Sequence, residues 1–281
     1  MSHDPLDKTS IARSPQNAIV ADEQGILWIP SEDGLAMHVP STAKITLVHP
    51  RPEPGASARS IDVSSVVEAR DGAVWVGTGE GLERLTEIDR SGGALRIDRF
   101  VHDPADPTSL ASKWVYTVME DRAGQLWVGT VRGGLHRLGD DGPTPRFERF
   151  PQESSGLSAA SVFCLFEDAA GVLWVGTYLG LFHSTPAGSA QPFERLDPAV
   201  GTPSSELFYS LAEDASGRLW IGTDHGLDRL SADRQRLEPN VLKPGLVALA
   251  IAEGPDGILW LAAASEGLIS VDPATDEWRA W

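Results

Sequence analysis

One frame recurs six times along this chain: a glycine, two further residues, a tryptophan, and a second glycine six or seven positions later. It reads ADEQGILWIPSEDGLAMHV around Trp28, EARDGAVWVGTGEGLERL around Trp75 and EDRAGQLWVGTVRGGLHRL around Trp127. It returns as EDAAGVLWVGTYLGLFHS around Trp174, EDASGRLWIGTDHGLDRL around Trp220 and AEGPDGILWLAAASEGLIS around Trp260. The tryptophans are 47, 52, 47, 46 and 40 residues apart. The leading glycines are Gly25, Gly72, Gly124, Gly171, Gly217 and Gly257, and the trailing ones are Gly34, Gly81, Gly133, Gly180, Gly226 and Gly267. Such a period belongs to a repeat architecture, in which each unit buries its apolar face only against a neighbour.

Each unit offers four strand-like runs. In the third they are residues 115–120, 125–129, 134–138 and 146–150, separated by turn signals at Asp121–Gly124 and Gly133–Gly134. Asp can hydrogen-bond backbone two residues on, and Gly tolerates positive φ. Four short strands per unit of about 40–50 residues is the sequence form of a β-propeller blade. A helical solenoid is disfavoured, because no unit holds a ten-residue stretch of 3.6-period apolar spacing. The expected fold is all-β: a propeller of six four-stranded blades in one domain spanning 1–281, or an excerpt of a seven-bladed or double propeller. Unit boundaries fall near 1–48, 49–101, 102–150, 151–197, 198–239 and 240–281. The repeated tryptophan is expected to pack between adjacent blades, hiding ~150–250 Å² and contributing at most ~4–6 kcal/mol. The glycines are expected to serve turns.

Composition removes several function classes. With a net charge of −17, long contact with nucleic acid or an anionic membrane face is opposed. Cys164 is the single cysteine, so no intrachain disulfide or thiolate metal site can form; its strand setting suits a small buried hydrophobe. No apolar run is long enough to span a membrane, and MSHDPLDKTSIARSPQ lacks the apolar core of a secretory signal. The seven histidines show no HxH or HExxH spacing. Asp121, Asp168 and Asp214 supply one carboxylate per turn, too few for calcium, and are expected to bond backbone. No nucleophile elbow, phosphate loop or dinucleotide fingerprint occurs, so neither a metal nor a cofactor is expected.

The decapeptides His3–Ala12 and His102–Ala111 agree at seven positions, and Ser10 and Ser109 both lie 18 residues before their tryptophan. The chain is thus expected to start inside an inter-blade connection and to be an excerpt of a longer array. The units also differ. Ala69 replaces the turn aspartate (Asp22, Asp121, Asp168, Asp214), Arg90–Gly93 is an insertion, and Ala262-Ala263 stands where Gly-Thr is usual.

The frame ED-x-x-G-x-LWVGT-x-x-GL-x-RL, preceded by HDPADPTSLAS, resembles the two-component regulator propeller repeat. The resemblance covers essentially the whole chain and is most specific in the third, fourth and fifth units. It implies the sensor region of a hybrid two-component histidine kinase or a diguanylate cyclase. Such propellers are usually seven-bladed, exported, and followed by a β-sandwich, a membrane helix and an output domain. By that resemblance the chain would be a periplasmic part of a membrane-anchored sensor, without inserting into the membrane itself.

By analogy of fold, binding is expected where second-to-third strand loops meet the connections into each first strand. The loop pairs Glu32-Asp33, Gly79-Glu80, Val131-Arg132, Tyr178-Leu179, Asp224-His225 and Ser265-Glu266 vary while the frame stays fixed, as a scaffold presenting a changeable surface would. The connections add Lys113, Trp114, Phe163, Phe208 and Tyr209. The expected ligand-binding set is Glu80, Lys113, Trp114, Arg132, Phe163, Tyr178, Tyr209, Asp224, His225 and Glu266. Aromatics beside carboxylates suit a small polar, ring-bearing ligand such as a glycan, with no catalysis in this chain. Two alternatives stay open. One is a protein-interaction platform of the WD40 kind. The other is an enzyme like the streptogramin-inactivating lyases, propellers with a His-based, magnesium-assisted site that His225 with Glu266 or Glu80 could imitate, although their repeats differ from this frame.

Overall fold

A computed structural model describes residues 20–21, 26–31, 34–39, 44–48, 62–86, 96–139, 145–150, 157, 160–186 and 192–281. Residues 3–12, Asp22, Gly25, Glu32-Asp33 and the insertion 90–93, singled out above, lie outside the described residues. Among the described residues the structure is all-β apart from 3-10 conformation at Leu157 and a short 3-10 turn at Pro198–Val200. Six four-stranded sheets form, each a simple antiparallel meander in chain order. The first comprises Val20–Ala21, Leu27–Ser31, Gly34–Val39 and Lys44–Val48; the second Val63–Glu68, Val74–Thr78, Gly81–Thr86 and Arg96–Phe100. The third is Val115–Glu120, Leu126–Thr130, Gly134–Gly139 and Arg146–Arg149, within a residue of the sequence expectation at every end. The fourth is Val162–Glu167, Leu173–Thr177, Leu181–Ser184 and Phe193–Arg195. The fifth is Phe208–Glu213, Leu219–Thr223, Leu227–Leu230 and Leu237–Glu238, and the sixth Ala248–Glu253, Leu259–Ala263, Gly267–Val271 and Trp278–Ala280. These are propeller blades. The chain divides into two compact units, Met1–Arg149 and Phe150–Trp281, with three blades each.

The local chemistry of the frame explains the sheet edges. Asp168 Oδ1 accepts the N–H groups of Ala170 and Val172, each at 3.0 Å, and Gly171 closes the turn at φ +80°. Its other oxygen accepts the Trp174 indole N–H at 2.9 Å. Asp121 with Trp127 and Asp214 with Trp220 repeat this at 2.8 and 2.7 Å. The aspartates therefore bond backbone as expected, and in addition satisfy the one polar group of a buried indole. At the other end of the second strand a threonine shapes the loop. Thr78, Thr177 and Thr223 hydroxyls donate to the carbonyls of Gly81, Gly180 and Gly226 at 2.8–3.0 Å.

Blade stacking places the core. In the N-terminal unit Trp28 packs with Val63, Val66, Val74 and Val76 of the second blade, and Trp75 with Val115, Val118, Leu126 and Val128 of the third. In the C-terminal unit Trp174 packs with Phe208, Leu211, Leu219 and Ile221, and Trp220 with Ala248, Leu259 and Leu261. Trp260 differs: it is half-buried and lies beside Trp281 of its own blade, ring centroids 5.9 Å apart.

Two features of these interfaces go beyond the sequence reading. Not every glycine serves a turn. A Cβ on Gly77 would lie 2.9 Å from Val115 Cγ1, and one on Gly222 would lie 2.5 Å from the Ala248 carbonyl oxygen, so the glycine of these two Gly-Thr pairs lets the next blade's first strand approach. The glutamate of the ED pair is an inter-blade clamp. Glu120 Oε2 accepts the Arg70 N–H at 2.9 Å, and Glu213 Oε2 accepts the Ala169 N–H at 2.6 Å, each reaching the turn of the preceding blade.

Candidate functional site

The end of each blade where the first strand begins and the second-to-third loop turns carries all ten candidate side chains. A recurrent irregularity shapes it. The register of the first two strands shifts by one residue at Ser64, Tyr116, Phe163, Tyr209 and Leu249, the same place in each of these blades. A β-bulge adds one unpaired residue and re-aims its side chain. Phe163 and Tyr209, picked from sequence as aromatics near the strand starts, are thus bulge residues. Tyr116 and Leu249 hold the same position and were missed. A one-residue insertion leaves the apolar pattern of a strand legible while hiding where pairing slips, so only comparison of the five registers exposes it.

In the N-terminal unit Glu80, Lys113, Trp114 and Arg132 come together. Glu80 sits in the loop after Thr78, whose hydroxyl accepts its N–H at 3.1 Å. Its carboxylate meets Lys113 Nζ of the next blade at 3.3 Å, with both side chains largely exposed. Such a pair is worth ~0–1 kcal/mol and leaves both groups available to a ligand. Trp114 is 44% exposed, and its carbonyl accepts the Val131 N–H at 2.9 Å. That bond holds the 131–132 loop against it, with Arg132 in the left-handed region at φ +59°.

In the C-terminal unit the Phe163 and Tyr209 rings make an edge contact at 6.2 Å. Tyr209 neighbours Asp224: burial, then the Asp224 charge, raise the phenol's pKa. Burial works against ionisation of Asp224, but hydrogen bonds from Ser205 and His225 outweigh it and hold the carboxyl below its usual range. His225 Nδ1 lies 2.9 Å from Asp224 Oδ1. Tyr178 projects from the neighbouring loop, 43% exposed. Glu266 is bonded by Lys243 Nζ at 2.5 Å and by Ser265 Oγ at 2.6 Å, and these bonds hold its pKa low. Among the described residues no group of three or more His, Cys, Asp or Glu is placed to hold a metal.

Buried titratable groups elsewhere anchor the connections. Asp228 accepts the Ser204 and Asn240 N–H groups at 2.7 and 2.9 Å, and burial raises its pKa. In the third blade His136 Nε2 accepts the Ala111 N–H at 2.9 Å, and burial followed by the Arg149 charge lowers its pKa to about 4.

The two component regulator propeller family matches residues 109–132, 156–179 and 202–225. Three of the units are two-component regulator propeller repeats. Each matched segment ends within the second-to-third loop, at Arg132, Leu179 or His225, so the repeat's recognisable span runs up to the candidate site. Curated proteins offer no match to the chain. Among solved structures, the chain is similar to an extracellular domain described as that of a hybrid two component system, BT3049, from B. thetaiotaomicron. Identity is 18% and TM-score 0.72, over 91% of this chain and 33% of that one. It therefore spans about a third of that relative. A catalytically inactive virginiamycin B lyase from Staphylococcus aureus, with quinupristin, is similar at 17% identity and TM-score 0.65, over 94% and 82% of the two chains. PorZ, a surface component of the type-IX secretion system of Porphyromonas gingivalis, is similar at 16% identity and TM-score 0.64, over 89% and 37%. At these identities the likeness is one of fold. No helix among the described residues is long and apolar enough to cross a membrane.

Proposed function

We propose that this chain is the ligand-sensing region of a bacterial two-component signalling protein, working outside the cytoplasmic membrane and binding a small polar ligand such as a glycan without turning it over. The observation that carries the reading is the grouping in the C-terminal unit of Phe163, Tyr209, Asp224 and His225 at the variable end of the repeat. Ring faces and edges accept the apolar C–H face of a sugar, while a carboxylate and an imidazole meet its hydroxyls. Membership of three units in the regulator propeller family and the fold likeness to an extracellular sensor domain support the same reading.

The mechanism is indirect. Ligand at these loops changes the packing of neighbouring blades, and an output domain of the parent protein reads the change. That requires different affinity for two states. The likeness to virginiamycin B lyase favours a second reading, propeller catalysis at His225. Calorimetric titration of the purified chain with a panel of oligosaccharides, and its incubation with a streptogramin, test the two. Saturable binding without product supports the sensor. Release of product from a streptogramin, abolished in His225→Ala, would replace the sensor with the enzyme. Binding confined to a protein partner would make the chain an interaction platform.

A further inference from the structure

The bulge row and its charge balance say which ligand the C-terminal unit can take, granted the sensor reading above. Three successive first strands present Phe163, Tyr209 and Leu249 at one bulge position, Leu249 with 47% of its surface exposed. The strands neighbour one another: Gly176 faces Phe208 and Gly222 faces Ala248, the residues just before two of the bulges. The row is an apolar ledge of ring, ring and branched aliphatic.

Around it the cations are already taken. Lys243 is paired with Glu266 at 2.5 Å and Arg195 with Glu206 at 2.8 Å, both at this end of the unit. Arg195 also lies against Gly180, closing the Tyr178–Leu179 loop. Asp224 is bonded by the side chains of Ser205 and His225, neither of them a lysine or arginine. An anionic ligand would meet that carboxylate and two occupied cations, in a chain of net charge −17.

We infer that the ledge formed by Phe163, Tyr209 and Leu249 beside Asp224 binds glycans free of carboxylate and sulfate groups, and that Leu249 is one of its contact residues. The apolar ledge takes the C–H face of a sugar ring. Asp224 accepts from hydroxyl or amino groups and repels acidic sugars. Like-charge juxtaposition is the device by which a site excludes a wrong partner.

The test is calorimetry of the whole chain with neutral oligosaccharides (xylo-, malto- and cello-oligosaccharides), chitosan oligosaccharides, and oligogalacturonate and heparin fragments, at low and at 0.5 M salt. We expect saturable binding among the neutral and amino series, and binding of the acidic series at least about tenfold weaker at low salt, the gap narrowing as salt screens it. Asp224→Asn should narrow the same gap without salt. Leu249→Ala and Tyr209→Ala should each weaken neutral binding about fivefold or more. Leu249 is exposed and Tyr209 half-buried, and unchanged melting of the variants certifies the fold. Acidic fragments bound as tightly as neutral ones, still dependent on Tyr209, would overturn the charge selection and leave the sensor reading standing. Neutral binding untouched by both variants would overturn the ledge. Binding of no glycan at all would overturn both readings together.

Discussion

Gly222→Ala is the sharpest test of how the blades stack. An alanine Cβ at this position would lie 2.5 Å from the Ala248 carbonyl oxygen and 3.2 Å from Ala248 Cβ, where ordinary contact begins at 3.4 Å; it would also strike the Ser210 hydroxyl. The hydroxyl can rotate away. The carbonyl cannot, since it belongs to the first strand of the sixth blade, so that strand must retreat from the core holding Trp220, Leu246, Ala248 and Leu261. Overpacking of this kind costs ~1–3 kcal/mol, or a fall of very roughly 2–10 °C in the melting temperature of a domain of this size. Two companions isolate the cause. Gly79→Ala places a Cβ against nothing nearer than Asp62 Cβ at 3.9 Å and should leave stability unchanged. Adding Ser210→Ala to Gly222→Ala should recover only part of the loss, because the carbonyl clash remains. The readout is urea denaturation followed by tryptophan fluorescence. If Gly222→Ala and Gly79→Ala have indistinguishable midpoints, close backbone approach is not what the Gly-Thr glycine provides.

Other consequences are as direct. Trp174→Ala should cost ~3–5 kcal/mol through the cavity it leaves, whereas Trp174→Phe forfeits chiefly the indole bond to Asp168 and should cost less; equal urea midpoints for both would sink that partition. Glu213→Ala removes the acceptor for the Ala169 N–H and one of the Arg234 ion pairs, so the Ala169 amide should exchange with deuterium faster and stability should fall by ~1–3 kcal/mol. His136 has a folded pKa of about 4, below its ordinary value of 6.5, so the unfolded chain takes up the proton first. The stability held above pH 6.5 should therefore decline as the pH falls towards 4, and His136→Gln should flatten that part of the curve; parallel curves would refute the assignment. Burial pushes the Cys164 thiol up to about 12, so iodoacetamide should label it only on unfolding, and rapid labelling of the native chain would contradict its place in the core.

Much of this architecture was readable in the residues, and the reason is specific. A tryptophan flanked by two glycines at fixed distances marks the second strand and both its turns, so the third blade's strands fall within a residue of expectation. The partners of the turn carboxylates were only half legible. Asp168 was expected to bond backbone, and does, but its bond to an indole six residues on needs the strand to fold back first. Glu213 was invisible as a clamp because its acceptor role lies in another blade's turn. The site divides in the same way. Phe163 and Tyr209 stand out as aromatics near strand starts, whereas Leu249 does not; only the shared bulge register places it in their row.

The Glu clamp has a consequence for how such a chain can change over time. Its acceptor, Glu213, and the kind of turn it grips, at Asp168–Gly171, come from one stretch, ED-x-x-G, present in both blades. At these two seams contact runs head to tail, a hook reaching backwards to a loop. A duplicated copy of such a unit therefore arrives with both halves of the fastening already matched to a neighbour that carries ED-x-x-G. Gain or loss of a whole unit breaks no pairing that the seam cannot remake, while the two loop positions that differ between copies drift without touching the fastening.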